Sequence, residues 1–290
     1  MPEAGIPLAI VSAMGANVAF LCKHRGANEA PAVRFSHPLR SAIALFASRW
    51  WMLGWLVGAI AWGFHVAAMA VAPLSLVQAV MAGGLALLVL PAQAWFRIRL
   101  GWREWCGLGL SAGGLALLAV TADASHAHSA YSLAGLIAFE SGAVALGVTL
   151  LLHGTSGPLR GRDGVLLAVA AGVMVGVGNI AIKALSGTVP GDPFSLVSPW
   201  LLVAVGAGIA AFFSLARGLQ LGAPIQVIAL SSIAANAAAI GGGVLVFGDP
   251  IGSGALDVVV RSAAFVAVIA AAALMPTPRV PPPAVAGQST

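Results

Sequence analysis

Among the 9 acids of this chain, Glu140 stands in the middle of a long apolar run, Leu133-Ala134-Gly135-Leu136-Ile137-Ala138-Phe139-Glu140-Ser141-Gly142. A charge at such a position costs on the order of 3 kcal/mol on membrane-insertion scales, so the group normally meets a cavity or a partner, where it exchanges a proton or holds a cation. Its plainer use is a carboxyl bonded to a neighbouring helix, or one that reaches the outer interface. Amides come next. Asn17 and Asn179 hold corresponding places in two apolar segments, and each offers both a donor and an acceptor to a polar solute. The alternative is glue between packed helices. Gln78, Gln226 and Asn236 carry the same two readings, and His65 suits proton relay near neutral pH or simple packing. Lys183, one turn after Asn179, either counters an anionic solute or snorkels to the headgroups. Asp123, His126 and His128 have a metal-catching spacing that is common by chance. None of this composes an enzyme: the chain has no nucleophile elbow, no paired membrane carboxylates and no Gly-Lys-Ser/Thr phosphate loop, so neither a cofactor nor a resident metal is expected.

The elements that position these groups must be membrane helices. Hydrophobic residues make up 60% of the chain and charged ones 8%, against roughly 25% charged in a soluble domain. The lipid bilayer is thus a partner, and the cargo a small solute or an ion. An all-α polytopic fold of about nine spans is predicted, at Ile6–Leu21, Trp50–Val71, Leu74–Phe96, Glu104–Val120, Leu133–Leu152, Gly164–Leu185, Pro199–Ala216, Ala223–Phe247 and Val258–Leu274. Spans three and eight follow spans two and seven after a bare Ala-Pro hinge. Met1 to Gly5 carries Glu3 in place of a basic n-region, so no cleavable signal peptide is expected. The longest polar stretch is the linker from Lys23 to Ser48.

Orientation follows from charge. All of the 14 Lys and Arg residues except Lys183 and Arg261 fall on one side, after spans one, three, five and seven or in the tail. The amino terminus is therefore expected outside the plasma membrane and the carboxyl terminus in the cytoplasm. A pI near 10.2 reports this asymmetry and not nucleic-acid binding. Trp50, Trp51, Trp55, Trp95, Trp102 and Trp105 gather at the same interface. Cys22 and Cys106 fall there too and serve as topology labels, not as a disulfide. Gly172 and Gly176 form a GxxxG pair that suits intramolecular packing or a homodimer, with packing favoured.

The pattern is written twice. Ala72-Pro73-Leu74-Ser75-Leu76-Val77 returns as Ala223-Pro224-Ile225-Gln226-Val227-Ile228, and Asn17-Val18-Ala19 as Asn179-Ile180-Ala181. Spans 1–4 then match spans 6–9 in opposite orientation, the inverted repeat of secondary transporters. Residues 1–131 form one repeat half, 132–163 the linking fifth span and loop, 164–275 the inverted half and 276–290 a disordered tail.

Cys22-Lys23-His24-Arg25-Gly26 closing span one, Arg49-Trp50-Trp51 opening span two and Ala72-Pro73-Leu74-Ser75-Leu76-Val77 opening span three resemble the drug/metabolite transporter (DMT) superfamily. Within it the chain is similar to EamA-like permeases and to the nine-span, NIPA-type magnesium transporter family. The resemblance implies a carrier for a small metabolite or drug-like solute, or a divalent-cation transporter. Where the magnesium transporters carry a span-two carboxylate, this chain reads Ala61-Trp62-Gly63-Phe64-His65-Val66, which offers no hard oxygen ligand. A third reading is a non-transporting membrane scaffold of an envelope-lipid pathway, its basic linker against anionic lipid.

Overall fold

The structure is a computed structural model that describes residues 5–71, 80, 84, 101–121, 132–156, 162–186, 198–248 and 254–274. The expected third span with Gln78 and its Ala-Pro hinge, the loop holding Asp123, His126 and His128, and the tail lie outside these residues. Every described element is a helix: α1 (Gly5–Glu29), α2 (Pro38–Phe46), α3 (Arg49–Val71), α4 (Trp102–Thr121), α5 (Leu133–Ser156), α6 (Asp163–Ser186), α7 (Pro199–Leu221), α8 (Pro224–Phe247) and α9 (Ala255–Leu274). Among the described residues five helices are long and apolar enough to cross a membrane, namely α1, α5, α6, α7 and α8. A sixth arises if α2 and the front of α3, which meet at 81°, count as one broken span. The protein is an all-helical, multi-pass membrane protein.

Two boundaries differ most from expectation. The first helix does not stop at Leu21 but continues to Glu29, because Cys22 to Glu29 contains good helix formers and the next proline is Pro31. Span seven likewise runs past Ala216 to Leu221, through Arg217 and Gln220. The seam between α7 and α8 is as tight as the Ala-Pro signal implies: Gly222 closes one helix with its N–H on the Gly218 carbonyl at 2.8 Å, and Pro224 opens the next. Proline costs nothing there, since the first-turn N–H has no intrahelical acceptor. Gly248, at φ 66°, ends α8 in the left-handed conformation that glycine adopts without strain.

Side-chain contacts fix how the helices run. The end of α1 meets the start of α3 at Gly26 and Trp51, the end of α5 meets the start of α6 at Gly154 and Leu167, and Gly164 of α6 meets Gly222 just beyond α7. The start of α8, through Ile225, Val227 and Ile228, joins the same cluster as Leu21, Trp51, Ala168 and Leu219. Thus α1, α5 and α7 end, and α3, α6 and α8 begin, at one end of the bundle. Lys23, Arg25, Arg34, Arg40, Arg49, Arg162 and Arg217 belong to these termini or to the links between them, and we call this the basic end.

In lipid, apolar side chains gain nothing by leaving their surroundings for one another, so helices associate by close packing. α1 and α3 show how. Ser12 Oγ donates to the Ala61 carbonyl at 2.8 Å, and a Cβ placed on Gly15 would lie 2.9 Å from that of Ala61. On Gly26 it would lie 2.7 Å from the Trp51 Cα, which is backbone and cannot swing aside. The GxxxG pair packs within the chain: Gly172 lies against Ala234 and Gly176 against Ala238, seating α6 on α8. α6 is the central helix, packed against α5, α7 and α8.

Gly26→Ala is expected to lower the melting temperature of the detergent-solubilised protein, since overpacking costs about 1–3 kcal/mol. Gly63→Ala, where a Cβ would meet nothing within 4 Å, is expected to melt like the parent. Equal melting of both variants by intrinsic fluorescence would show that the α1–α3 contact is looser than described.

Candidate functional site

Leu136, Glu140, Ala143 and Gly147 fall on one face of α5, because residues three and four apart share a side of a helix. Leu136 packs against Ile180 and Ala184 of α6. Ala143 joins Met174 and Val177 of α6 with Ala207 and Ala211 of α7. Glu140 stands between these two apolar clusters, one turn from each. It is 4% exposed, and neither carboxyl oxygen has a hydrogen-bond partner among the described residues. No bond from the carboxyl to a neighbouring helix is present among the described residues. Burying an ionised carboxylate without a hydrogen bond or counter-ion is very costly. Neutral, the group is one donor and one acceptor set into an apolar wall.

The amides divide. Asn17 is buried and donates from Nδ2 to the Gly84 carbonyl at 2.7 Å, which is the gluing role. Asn179 does not share that environment: with Val175 and Ile182 it forms the exposed stripe of a helix buried elsewhere along most of its length. The two residues that correspond in sequence thus differ in burial. Asn236 is exposed and bonds back to its own helix, Nδ2 to the Ser232 carbonyl at 2.8 Å. Gln226 is buried in the first turn of α8. His65 is partly exposed on α3, with Nδ1 buried and unpaired. Lys183 lies with Nζ 4.2 Å from the Phe247 ring centroid, a cation–π contact joining the far ends of α6 and α8.

Cys22 is buried, which leaves Cys106, partly exposed, as the usable native label. Among the described residues no three His, Cys, Asp or Glu side chains lie together as a metal site.

A polar clasp at the basic end has no counterpart among the sequence candidates. The Gln220 amide donates to the carbonyls of Ala27 at 2.8 Å and Pro31 at 3.1 Å. Its Oε1 accepts from the Val33 N–H at 3.0 Å and from Arg217 at 3.1 Å. Beside it His24 Nδ1 lies 3.0 Å from the Leu219 carbonyl, a bond that requires the proton on Nδ1. Asn28 donates to the His24 carbonyl at 2.9 Å and to that of Leu219 at 3.3 Å. Beneath lies an aromatic cluster in which Phe212 meets Trp51, Phe46 and Phe213 at centroid distances of 5.7, 6.1 and 5.0 Å. The end of α7 is therefore wrapped by the end of α1 and the chain that follows it. The only trace of this in the sequence is that Gln220 is the polar residue just before the Ala-Pro seam.

No family model matches the chain, and neither a curated protein nor a solved structure matches it.

Gln220→Ala removes four hydrogen bonds and leaves the Val33 N–H without its acceptor, a loss of about 1–3 kcal/mol. Hydrogen exchange followed by mass spectrometry should show faster exchange confined to residues 30–37 while α6 keeps its protection. Unchanged exchange across that segment would mean that the clasp does not hold it.

Proposed function

We propose that the chain is a secondary carrier of the drug/metabolite type. It moves a small metabolite or drug-like solute across the plasma membrane by alternating access, with Glu140 exchanging the coupling proton. The observation that carries this reading is a carboxyl buried to 4% exposure in the middle of a spanning helix, with neither oxygen paired among the described residues. Such a group is expensive to keep and is retained where it works. The directions of the helices support an inverted repeat of spans 1–4 and 6–9: α1 ends where α6 begins, and α3 begins where α7 ends. The seams of glycine and alanine support rocking, since small residues let packed helices slide. The clasp between the end of α1 and the end of α7 is the kind of contact that shuts one side of such a carrier and must part for the other state.

Glu140→Gln keeps the size of the side chain and imitates its protonated form. It is expected to insert and melt like the parent, to lose most solute accumulation driven by a pH gradient, and to retain passive exchange. The measurement is proton movement elicited by a panel of organic solutes in sealed vesicles holding a pH dye. A Gln variant that drives uphill transport as well as the parent from roughly pH 6 to 8 makes Glu140 structural. Magnesium flux dependent on Glu140 but without proton movement would favour the divalent-cation reading instead.

The excess of basic residues at one end supports a cytoplasmic side for that end. Ser36→Cys, exposed at the basic end, is expected to react with an impermeant thiol reagent only after cells are opened. Ser132→Cys, exposed at the start of α5 on the other end, should react in sealed cells. The reverse pattern would invert the orientation.

A further inference from the structure

α2 exposes the face that a helix in water would hide. Leu39 and Ile43, one turn apart, are 79% and 72% exposed, whereas Ser41 and Leu45 on the opposite face are buried. The segment is held in place from its buried side: the Arg34 N–H donates to Ser41 Oγ at 3.0 Å, and Ser41 Oγ donates to the Arg34 carbonyl at 3.2 Å. At its end Phe46 stacks on Trp55 with centroids 6.2 Å apart. Nine residues reach only about 14 Å at 1.5 Å per residue, too little to cross a bilayer. The 81° bend between α2 and α3 lays α2 nearly flat if α3 crosses the membrane. α2 sits at the basic end, beside the tryptophans expected at the interface.

The charge around it is unspent. Glu29 is engaged by Arg25, 3.4 Å from Nε, and by Ser48 Oγ at 3.3 Å. Arg25 itself lies over the Trp50 ring at 4.2 Å. Arg34 and Arg40, which flank the turn into α2, are exposed and make no ion pair with a described residue. An apolar face beside unpaired guanidinium groups on a flat-lying helix is complementary to one surface: acyl chains beneath anionic phosphates.

We infer that α2 is an interfacial helix that binds anionic phospholipid, with Leu39 and Ile43 set among the acyl chains and Arg34 and Arg40 on the phosphates. This does not rest on the transport reading, only on the chain crossing a membrane.

The test uses the full-length protein with Cys22→Ala and Cys106→Ser, carrying Ile43→Cys labelled with bimane. It is reconstituted into vesicles of phosphatidylcholine with phosphatidylglycerol, and either lipid in turn carries brominated acyl chains as the quencher. Each basic residue near an anionic surface is worth on the order of fivefold in partitioning. Brominated phosphatidylglycerol should therefore quench the label about five- to twentyfold more effectively than brominated phosphatidylcholine. Arg34→Gln with Arg40→Gln should bring that ratio close to one while quenching by both lipids persists. Leu39→Cys serves as a second reporter and should behave alike, with Ser36→Cys less quenched than either. Equal quenching by the two lipids in the parent overturns the anionic preference. A label quenched by neither lipid, together with disulfide cross-linking between protein copies through Ile43→Cys, overturns the proposal in favour of a second copy on this face.

Discussion

The fold depends on how closely helix backbones can approach in a solvent that gives apolar side chains no reason to meet. Gly26 against Trp51, Gly164 against Gly222 and Gly172 against Ala234 are sites where even a methyl group would intrude on its neighbour. At such separations dispersion between whole helix surfaces accumulates, and each contact is small while the seam is long. The same closeness decides where polar groups can be satisfied. Ser12 reaches the Ala61 carbonyl only because α1 and α3 nearly touch, and Asn17 reaches the Gly84 carbonyl at 2.7 Å. Packing and hydrogen bonding are here one constraint.

Against that background Glu140 is an exception that the surrounding helices accommodate without answering. Asn17 and Ser12 find carbonyls, and Asn236 satisfies its N–H within its own helix. Glu140 has apolar clusters one turn to either side and, among the described residues, no hydrogen-bond partner for its oxygens. A residue placed for stability would have been paired or apolar, since removing the carboxyl would cost the packing nothing comparable to its own burial. The physical expectation is that its partner is not permanent.

The all-helical, membrane-spanning character was legible in the sequence because it rests on composition and on runs of spanning length. The seam at Ala223-Pro224 was legible because proline at a first turn has a single inexpensive use. What could not be read was anything set by contact between distant segments. The repeat places Asn17 and Asn179 alike, yet one is buried and bonded while the other lies on an exposed stripe. Their neighbours, and not their positions, decide this. Cys22 suited a surface label until the extension of α1 to Glu29 carried it into the packed interior. The linker from Lys23 to Ser48 reads in the sequence only as the longest polar stretch, whereas most of it is helix and part is held by Gln220, a residue some 190 positions away by chain.

That linker joins three things that sequence separates. Its start is the end of α1, fixed to α7 through His24 and Asn28. Its middle is held by Gln220 at the carbonyls of Ala27 and Pro31 and at the Val33 N–H. Its end is α2, whose Phe46 stacks on Phe212 of α7 and Trp55 of α3. Any motion of α7 against α1 must therefore break the hydrogen bonds of the Gln220 and Asn28 amides and unstack rings. A helix anchored in the membrane surface resists displacement along the normal far more than rotation within the plane. If α2 is held in the membrane surface as inferred above and the chain is a carrier, the least costly opening at this end is a swing of the end of α7 away from α2. That motion would expose the carbonyls of Ala27, Pro31 and Leu219 to water, which can satisfy them, and leave the glycine-lined seam between α1 and α3 intact.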